Sequence, residues 1–277
     1  MDVATVVGIL VAFGAVALSA AIGGVDLSIL YERYEAFLLV LGGTVGATMI
    51  SFPFKSFTRG VANGLRTAFR EAEYFEREVI AVLVGFADQA RRRGLLSLEP
   101  EVAALEDPFL RRGLELVIDG RDTELVRKIL ETEATFVADR NGKSAEIFMT
   151  LGGYSPTLGI IGTVLGLIAM LKGLGSGSMT GGITASIGVA TAEAFVATFF
   201  GIMLANLLWL PIASKIKERN KQLLLLREIM IEGILSIQAG DNPSLLEEKL
   251  NAFLDPSDLD IQEVEGRPVR EASLAGV

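Results

Sequence analysis

The chain has 277 residues, 51% of them hydrophobic and 21% charged, with a formal net charge of −9. It holds no cysteine and no histidine, which excludes disulfide frameworks, thiol nucleophiles, Cys/His zinc sites and a Ser–His–Asp triad. The acidic balance argues against nucleic acid as a partner, and the charged fraction is low for a soluble domain.

The first apolar run is VATVVGILVAFGAVALSAAI, residues 3–22. It carries no charge and has the roughly 20 residues that a membrane helix needs. It lacks the basic start of a signal peptide. The second run, AFLLVLGGTVGATMISFPF, covers residues 36–54. Its glycines, Gly42, Gly43 and Gly46, allow close helix approach.

Residues 55–145 are polar and predicted to be helical. EAEYFEREVIAVLVGFADQARRRG places Phe75, Val79, Val82, Leu83 and Phe86 at helix-like spacing, with Gly94 as a stop. PFLRRGLELVIDG and DTELVRKILETEATFVADR give two more amphipathic helices. Gly113 weighs against the first, Gly120 suits its C-terminal cap, and Asp122 or Thr123 suits the N-cap of the second. Fifteen basic and sixteen acidic side chains in 55–145 nearly cancel. Such mixed charge reads as a solvated face or as a docking surface for a charged partner.

The third run, IFMTLGGYSPTLGIIGTVLGLIAML, covers residues 147–171, and the fourth runs from Ile183 to Ala213. Both exceed the hydrocarbon thickness, so both helices should project into the cytoplasm. GLGSGSMTGG at 173–182 matches no phosphate-binding GxxxxGK[ST] motif and reads as a flexible loop. The tail begins with a basic helix, SKIKERNKQLLLLREIMIEGILSIQ. A short helix, SLLEEKLNAFL, follows Asn242 and Pro243, and residues 255–277 are expected to be disordered.

Orientation follows from the loops. Residues 23–35 and 172–182 hold one basic residue each, Arg33 and Lys172, whereas 55–145 holds fifteen and Lys215, Lys217, Arg219 and Lys221 follow the fourth span. The positive-inside bias puts residues 55–145 and both termini in the cytoplasm. The expected fold is all-α and polytopic. Its parts are spans one and two (1–54), a cytoplasmic helical domain (55–145), long spans three and four (146–213) and a cytoplasmic tail (214–277).

Polar groups inside hydrocarbon need a reason. Glu193 is the one acid of the fourth run. It either reaches the headgroups or faces a bundle interior. Thr191 and Thr198 are seven residues apart, hence on one face, and Thr163 of span three is placed to meet that face. The bland reading of each hydroxyl is a bond to its own backbone. Pro156 and Pro211 each remove a backbone hydrogen bond and loosen a helix. A proton or sodium relay needs an ionisable group in mid-membrane, so with only Glu193 available the decisive carboxylate should come from another chain.

GGYSPTLGIIGTVLGLIAML, AEAFVATFFGIMLANLLWLPIASKIK and VLGGTVGATMISFPF resemble spans three, four and two of MotA-type flagellar stator subunits, within the MotA/TolQ/ExbB proton channel family. ARRRGLLSLE, residues 90–99, resembles that family's cytoplasmic segment before span three. The resemblance covers roughly residues 3–235. It implies a homopentamer around two copies of a MotB-type partner, in the bacterial inner membrane. The partner would supply the ion-binding aspartate and a peptidoglycan anchor, and the cytoplasmic helices would push the rotor protein FliG. By motif position, Arg91 and Glu99 match the charged rotor contacts, with Arg92 and Arg93 beside them. Pro156 and Pro211 match the functional prolines, and Thr163 and Thr198 match the hydroxyls lining the ion path.

Two positions depart from the pattern. Glu193 stands where flagellar stators often carry an apolar residue. An acid there resembles ExbB and TolQ energisers of other envelope machines, the alternative reading. Position 197 is alanine, where sodium-driven relatives often carry threonine, and the ion, H+ or Na+, stays open. No enzymatic activity, cofactor or bound metal is expected.

Overall fold

The computed structural model describes residues 2–25, 28–69, 76–176 and 183–254, without the side chains at 29, 31, 176, 183–186, 189, 190 and 193. Phe75, residues 177–182 of the expected 173–182 loop and the tail 255–277 lie outside the described residues, and residues 173–176 are helical, continuing the helix Thr123–Ser176 rather than opening a loop. Every regular element among the described residues is helical. The chain runs through α1 (Val3–Ile22), α2 (Ser28–Glu32), α3 (Tyr34–Ser51) and α4 (Phe54–Phe69). Next come α5 (Glu76–Arg93), a 3-10 turn at Leu95–Leu98, α6 (Glu99–Ala103) and α7 (Pro108–Ile118). α8 is Thr123–Ser176, α9 (Ile183–Leu204) leads through a π-turn at Ala205–Trp209 into α10 (Leu210–Ala239), and α11 is Pro243–Asn251.

Four stretches among these residues are long and apolar enough to cross a membrane: Val3–Ile22, Tyr34–Ser51, Thr123–Gly175 and Ala194–Ala239. α1 buries none of its side chains within the chain. A helix that is apolar all round and unburied belongs in lipid or against other chains. α3 stops at Ser51 because Pro53 follows.

The ends of the shorter helices follow from their caps. Asp107 accepts from the Phe109 and Leu110 amides at 2.8 Å each, and Pro108 takes the first helical position of α7. Asp122 accepts from the Glu124 amide at 3.0 Å and so caps α8. Gly94 and Gly120 end their helices at φ 81° and 70°, where a side chain would be strained.

The sequence reading separated 122–140 from span three. The two form one helix of 54 residues. Between them lie Asn141 and Gly142 but no proline, and one glycine costs a helix only about 1 kcal/mol. The basic tail helix likewise lies within α10, which follows α9 through the π-turn.

The chain divides into two compact units. The first comprises Met1–Glu71 and Asn141–Glu218. Its inner core packs Ile147, Phe148 and Leu151 of α8 against Ile212 and Ile216 of α10 and Ala68 of α4. α4 reaches this core through glycines one turn apart. A Cβ on Gly60 would lie 2.4 Å from Ile147 Cδ1, and one on Gly64 would lie 2.3 Å from Phe148 Cε2. α4, which the sequence reading grouped with residues 55–145, therefore falls in the first unit.

The second unit comprises Ala72–Arg140 and Arg219–Val277. Leu83, Leu98, Leu110, Leu114, Leu130, Ile229 and Ile234 are fully enclosed there. Gly113, which weighed against α7, is a packing requirement: a Cβ there would stand 2.4 Å from Ile234 Cδ1. Gly233 admits Leu83 in the same way.

Candidate functional site

In the first unit α8 and α9 meet along a seam of small residues. A Cβ on Gly162 would lie 2.4 Å from Ala197 Cβ, and one on Gly166 would lie 2.9 Å from Ala194 Cβ. At Gly159 and Gly201 the neighbours are backbone: Ala197 O at 2.9 Å and Ser155 O at 2.6 Å from the added carbon. Only glycine permits this approach.

The two threonines singled out from the sequence meet on that seam. The Thr163 and Thr198 hydroxyls form a short hydrogen bond. The Gly159 carbonyl stands 3.2 Å from Thr163 Oγ1 and 3.4 Å from Thr198 Oγ1, and the Ala194 carbonyl stands 3.1 Å from Thr163 Oγ1. Four oxygens therefore share two hydroxyl protons. Such a cluster can pass a hydrogen bond from one oxygen to another, and both hydroxyls are only half-buried. Thr191 takes the bland role: it donates to Ile187 O at 2.7 Å, one turn back. Asn206 does the same toward Ile202 O at 2.9 Å. Glu193 belongs to α9, but its side chain lies outside the described residues.

Both prolines sit where the helices are irregular or closely packed. Pro156 lies inside α8 and has no N–H for the Gly152 carbonyl, and its Cα stands 3.2 Å from a Cβ built on Gly201. Pro211 follows the π-turn, where the Leu210 amide reaches back five residues to Ala205 O. In an unbroken α-helix the Pro211 ring would crowd the Leu207 carbonyl. The wider turn relieves that conflict.

A second polar site joins α1 to α10. Lys215 pairs with Asp2 and touches Thr5, while Thr5 Oγ1 donates to Asp2 Oδ2 at 2.9 Å. Asp2 also caps α1 through the Ala4 amide, at 3.2 Å. The sequence reading missed this tie. Asp2 stands at the head of α1 and Lys215 in a basic tail, with nothing in spacing to couple them.

In the second unit Arg91, Arg92 and Arg93 end α5, and Glu99 opens α6 after the 3-10 turn. All four side chains are exposed. Arg92 pairs with Asp88 at 2.9 Å. The turn is held by Leu98, fully buried, and by Gln89, which donates to Ser97 O and Glu101 Oε1 at 3.0 Å each. Leu96 stands 73% exposed among these charges. Sequence reasoning passed over it because one leucine in an apolar-polar alternation carries no signal of its own.

Residues 101–229 match the model of the MotA/TolQ/ExbB proton channel family. Motility protein A of Bacillus subtilis (strain 168) is 38% identical over 93% of this chain and 93% of its own. Chemotaxis protein PomA of Vibrio alginolyticus is 31% identical over 92% of this chain and 96% of its own. The solved structure of the flagellar MotAB stator complex from Bacillus subtilis holds a chain with a TM-score of 0.84 and 38% identity, covering 94% of this chain and 98% of that one. The spans, the glycine seam and these full-length likenesses agree: the chain belongs to the MotA/TolQ/ExbB proton channel family.

Proposed function

We propose that this chain is a stator subunit of a bacterial flagellar motor, which couples ion flow across the inner membrane to torque. The observation that carries the reading is the near-complete overlap with the Bacillus subtilis stator chain. The Thr163–Thr198 pair supports it from the chemistry. It is a polar station in an apolar seam, with no charged group among its described partners. The carboxylate that carries the ion then belongs to a MotB-type partner, and the hydroxyls hand a proton, or sodium with its water, along the path. Glu193 shapes the entry of the ion.

Assembly with further copies and with the partner is supported by Ile160, Val164, Ile168 and Leu171, an exposed apolar stripe on α8. In this reading five copies surround two partner chains, with both termini in the cytoplasm. The turn carrying Arg91, Arg92, Arg93 and Glu99, with Leu96, meets FliG.

Ion flux into liposomes tests the proposal. Flux is expected only when this chain is reconstituted with its partner, to fall with Thr198→Val, and to recover with Thr198→Ser. Robust flux through this chain alone would overturn the assignment of the carboxylate to the partner. Flux compared in sodium and sodium-free buffer at fixed potential identifies the ion, and Glu193→Gln there tests the entry role.

A further inference from the structure

We propose that the first unit holds a buried water site between α3, α8 and the π-turn, bound by the hydroxyls of Thr44 and Ser155 and by the indole N–H of Trp209. Thr44 and Ser155 are 0% exposed, and neither hydroxyl oxygen meets a hydrogen-bond partner among the described residues. The Trp209 Nε1 is also buried without a partner. Thr48, equally buried on α3, donates to the Thr44 carbonyl at 2.8 Å and so needs nothing more. Buried polar groups in native proteins are almost always satisfied, and internal water is the usual means when no side chain serves.

Glycine contacts link the helix turns that carry the three groups. Gly43, beside Thr44, presses on α8: a Cβ there would lie 2.6 Å from Leu158 Cδ1. Leu158 is three residues, about one turn, from Ser155. One turn to the other side lies Gly152, whose added Cβ would stand 3.6 Å from Trp209 Cβ. Pro156 leaves the Gly152 carbonyl without its usual donor, which adds an acceptor at the same place.

The donor set selects the ligand. An indole N–H only donates, so a metal cation is repelled. No cationic side chain is among the three groups, so an anion has no counter-charge. Each hydroxyl can donate and accept. A neutral molecule that both accepts and donates, and fits among close-packed helices, is water. Proline is tolerated in membrane helices where a side chain or ordered water satisfies the freed carbonyl. Water here lets α8 flex at Pro156 by exchanging hydrogen bonds rather than losing them.

X-ray radiolytic footprinting of the intact complex in nanodiscs tests this, because radicals formed from bound water oxidise the side chains beside it. Trp209 is the single tryptophan of the chain and a reactive reporter. Phe136, 71% exposed, reports the dose in bulk water, and Phe200, buried among Val40, Val196 and Leu204, is the dry control. Trp209 is half-buried and takes some dose from bulk water, so the expected result is oxidation above Phe200 that depends on Thr44 and Ser155. Thr44→Val with Ser155→Ala should lower it several-fold while Phe136 is unchanged. Trp209 as inert as Phe200 in the wild-type complex overturns the proposal, and that arm needs no variant. So does an unchanged Trp209 signal in the double variant, or in Ser155→Ala alone if the double variant does not assemble.

Discussion

Arg227 donates through Nη1 to both carboxylate oxygens of Asp107, at 3.0 and 3.1 Å, and its guanidinium carbon lies 4.4 Å from the centre of the Phe109 ring. Asp107 caps α7 with the same carboxylate, so one buried anion holds a helix end and a distant helix at once. Removing one partner of such a pair costs about 3–5 kcal/mol. Arg227→Ala is therefore expected to lower the melting temperature of the complex and expose the Phe109 and Leu110 amides to hydrogen exchange. Arg227→Lys should recover only part, since an ammonium keeps the charge but not the flat guanidinium over the Phe109 ring. Unchanged exchange at both amides in Arg227→Ala would show that the cap stands without the pair.

Two glycine substitutions should separate seam from surface. Gly201→Ala places a carbon 2.6 Å from the Ser155 carbonyl, which is backbone and cannot swing away. Overpacking of this kind costs about 1–3 kcal/mol, and the variant should assemble poorly. Gly42→Ala meets nothing within 4 Å inside the chain and gains up to about 1 kcal/mol of helix propensity. Membrane levels and complex yield on a sizing column check both. Equal yields would mean that the α8–α9 approach does not control assembly.

Pro156→Ala restores a backbone donor for the Gly152 carbonyl and stiffens α8. The complex should form at normal levels while swimming stops in a strain that depends on this chain. Normal motility would remove the proline from the moving parts.

Charge reversal at Arg91 or Glu99 should reduce motility, with partial recovery from an opposite reversal on FliG. Single neutralisations should be mild, because exposed pairs are worth about 0.2–1 kcal/mol each and Arg92 and Arg93 stand beside Arg91. Leu96→Asp should cost more than a single neutralisation, since a 73% exposed leucine in a charged rim suits the dry centre of a contact. Torque measured on tethered cells ranks the three. Full torque in both charge reversals would end the docking assignment.

Much of the architecture was legible because hydrocarbon demands it. The runs at 3–22 and 36–54 stood out by length and lack of charge, and Val3–Ile22 and Tyr34–Ser51 are long and apolar enough to cross a membrane. Gly94 and Gly120 mark helix ends by their own stereochemistry, and of Asp122 and Thr123 it is Asp122 that caps α8. The meeting of Thr163 and Thr198 was half legible. Seven-residue spacing put Thr191 and Thr198 on one face, but only the packing of Gly159 against Ala197 and Thr198 decided which of them Thr163 reaches. The continuity of α8 was hidden because nothing marks it except a missing proline at 141–143. Asp107–Arg227 was hidden for a different reason. Its members are 120 residues apart in a segment rich in both charges, where burial alone picks out the pair.

The π-turn at Ala205–Trp209 amounts to one residue inserted into a helix that otherwise continues. Each residue of an α-helix turns the chain by about 100°, so the first turns of α10, up to residue 218, are rotated by that angle against the α9 face that carries Thr198. Lys215 lies after it, and so its direction toward Asp2 is set by a residue count rather than by local preference. Deleting one residue within 205–208 would reset the phase and swing Lys215 away from α1. In this chain a length polymorphism of one residue would act as a rotation, and the reading frame of the helix is itself a structural parameter.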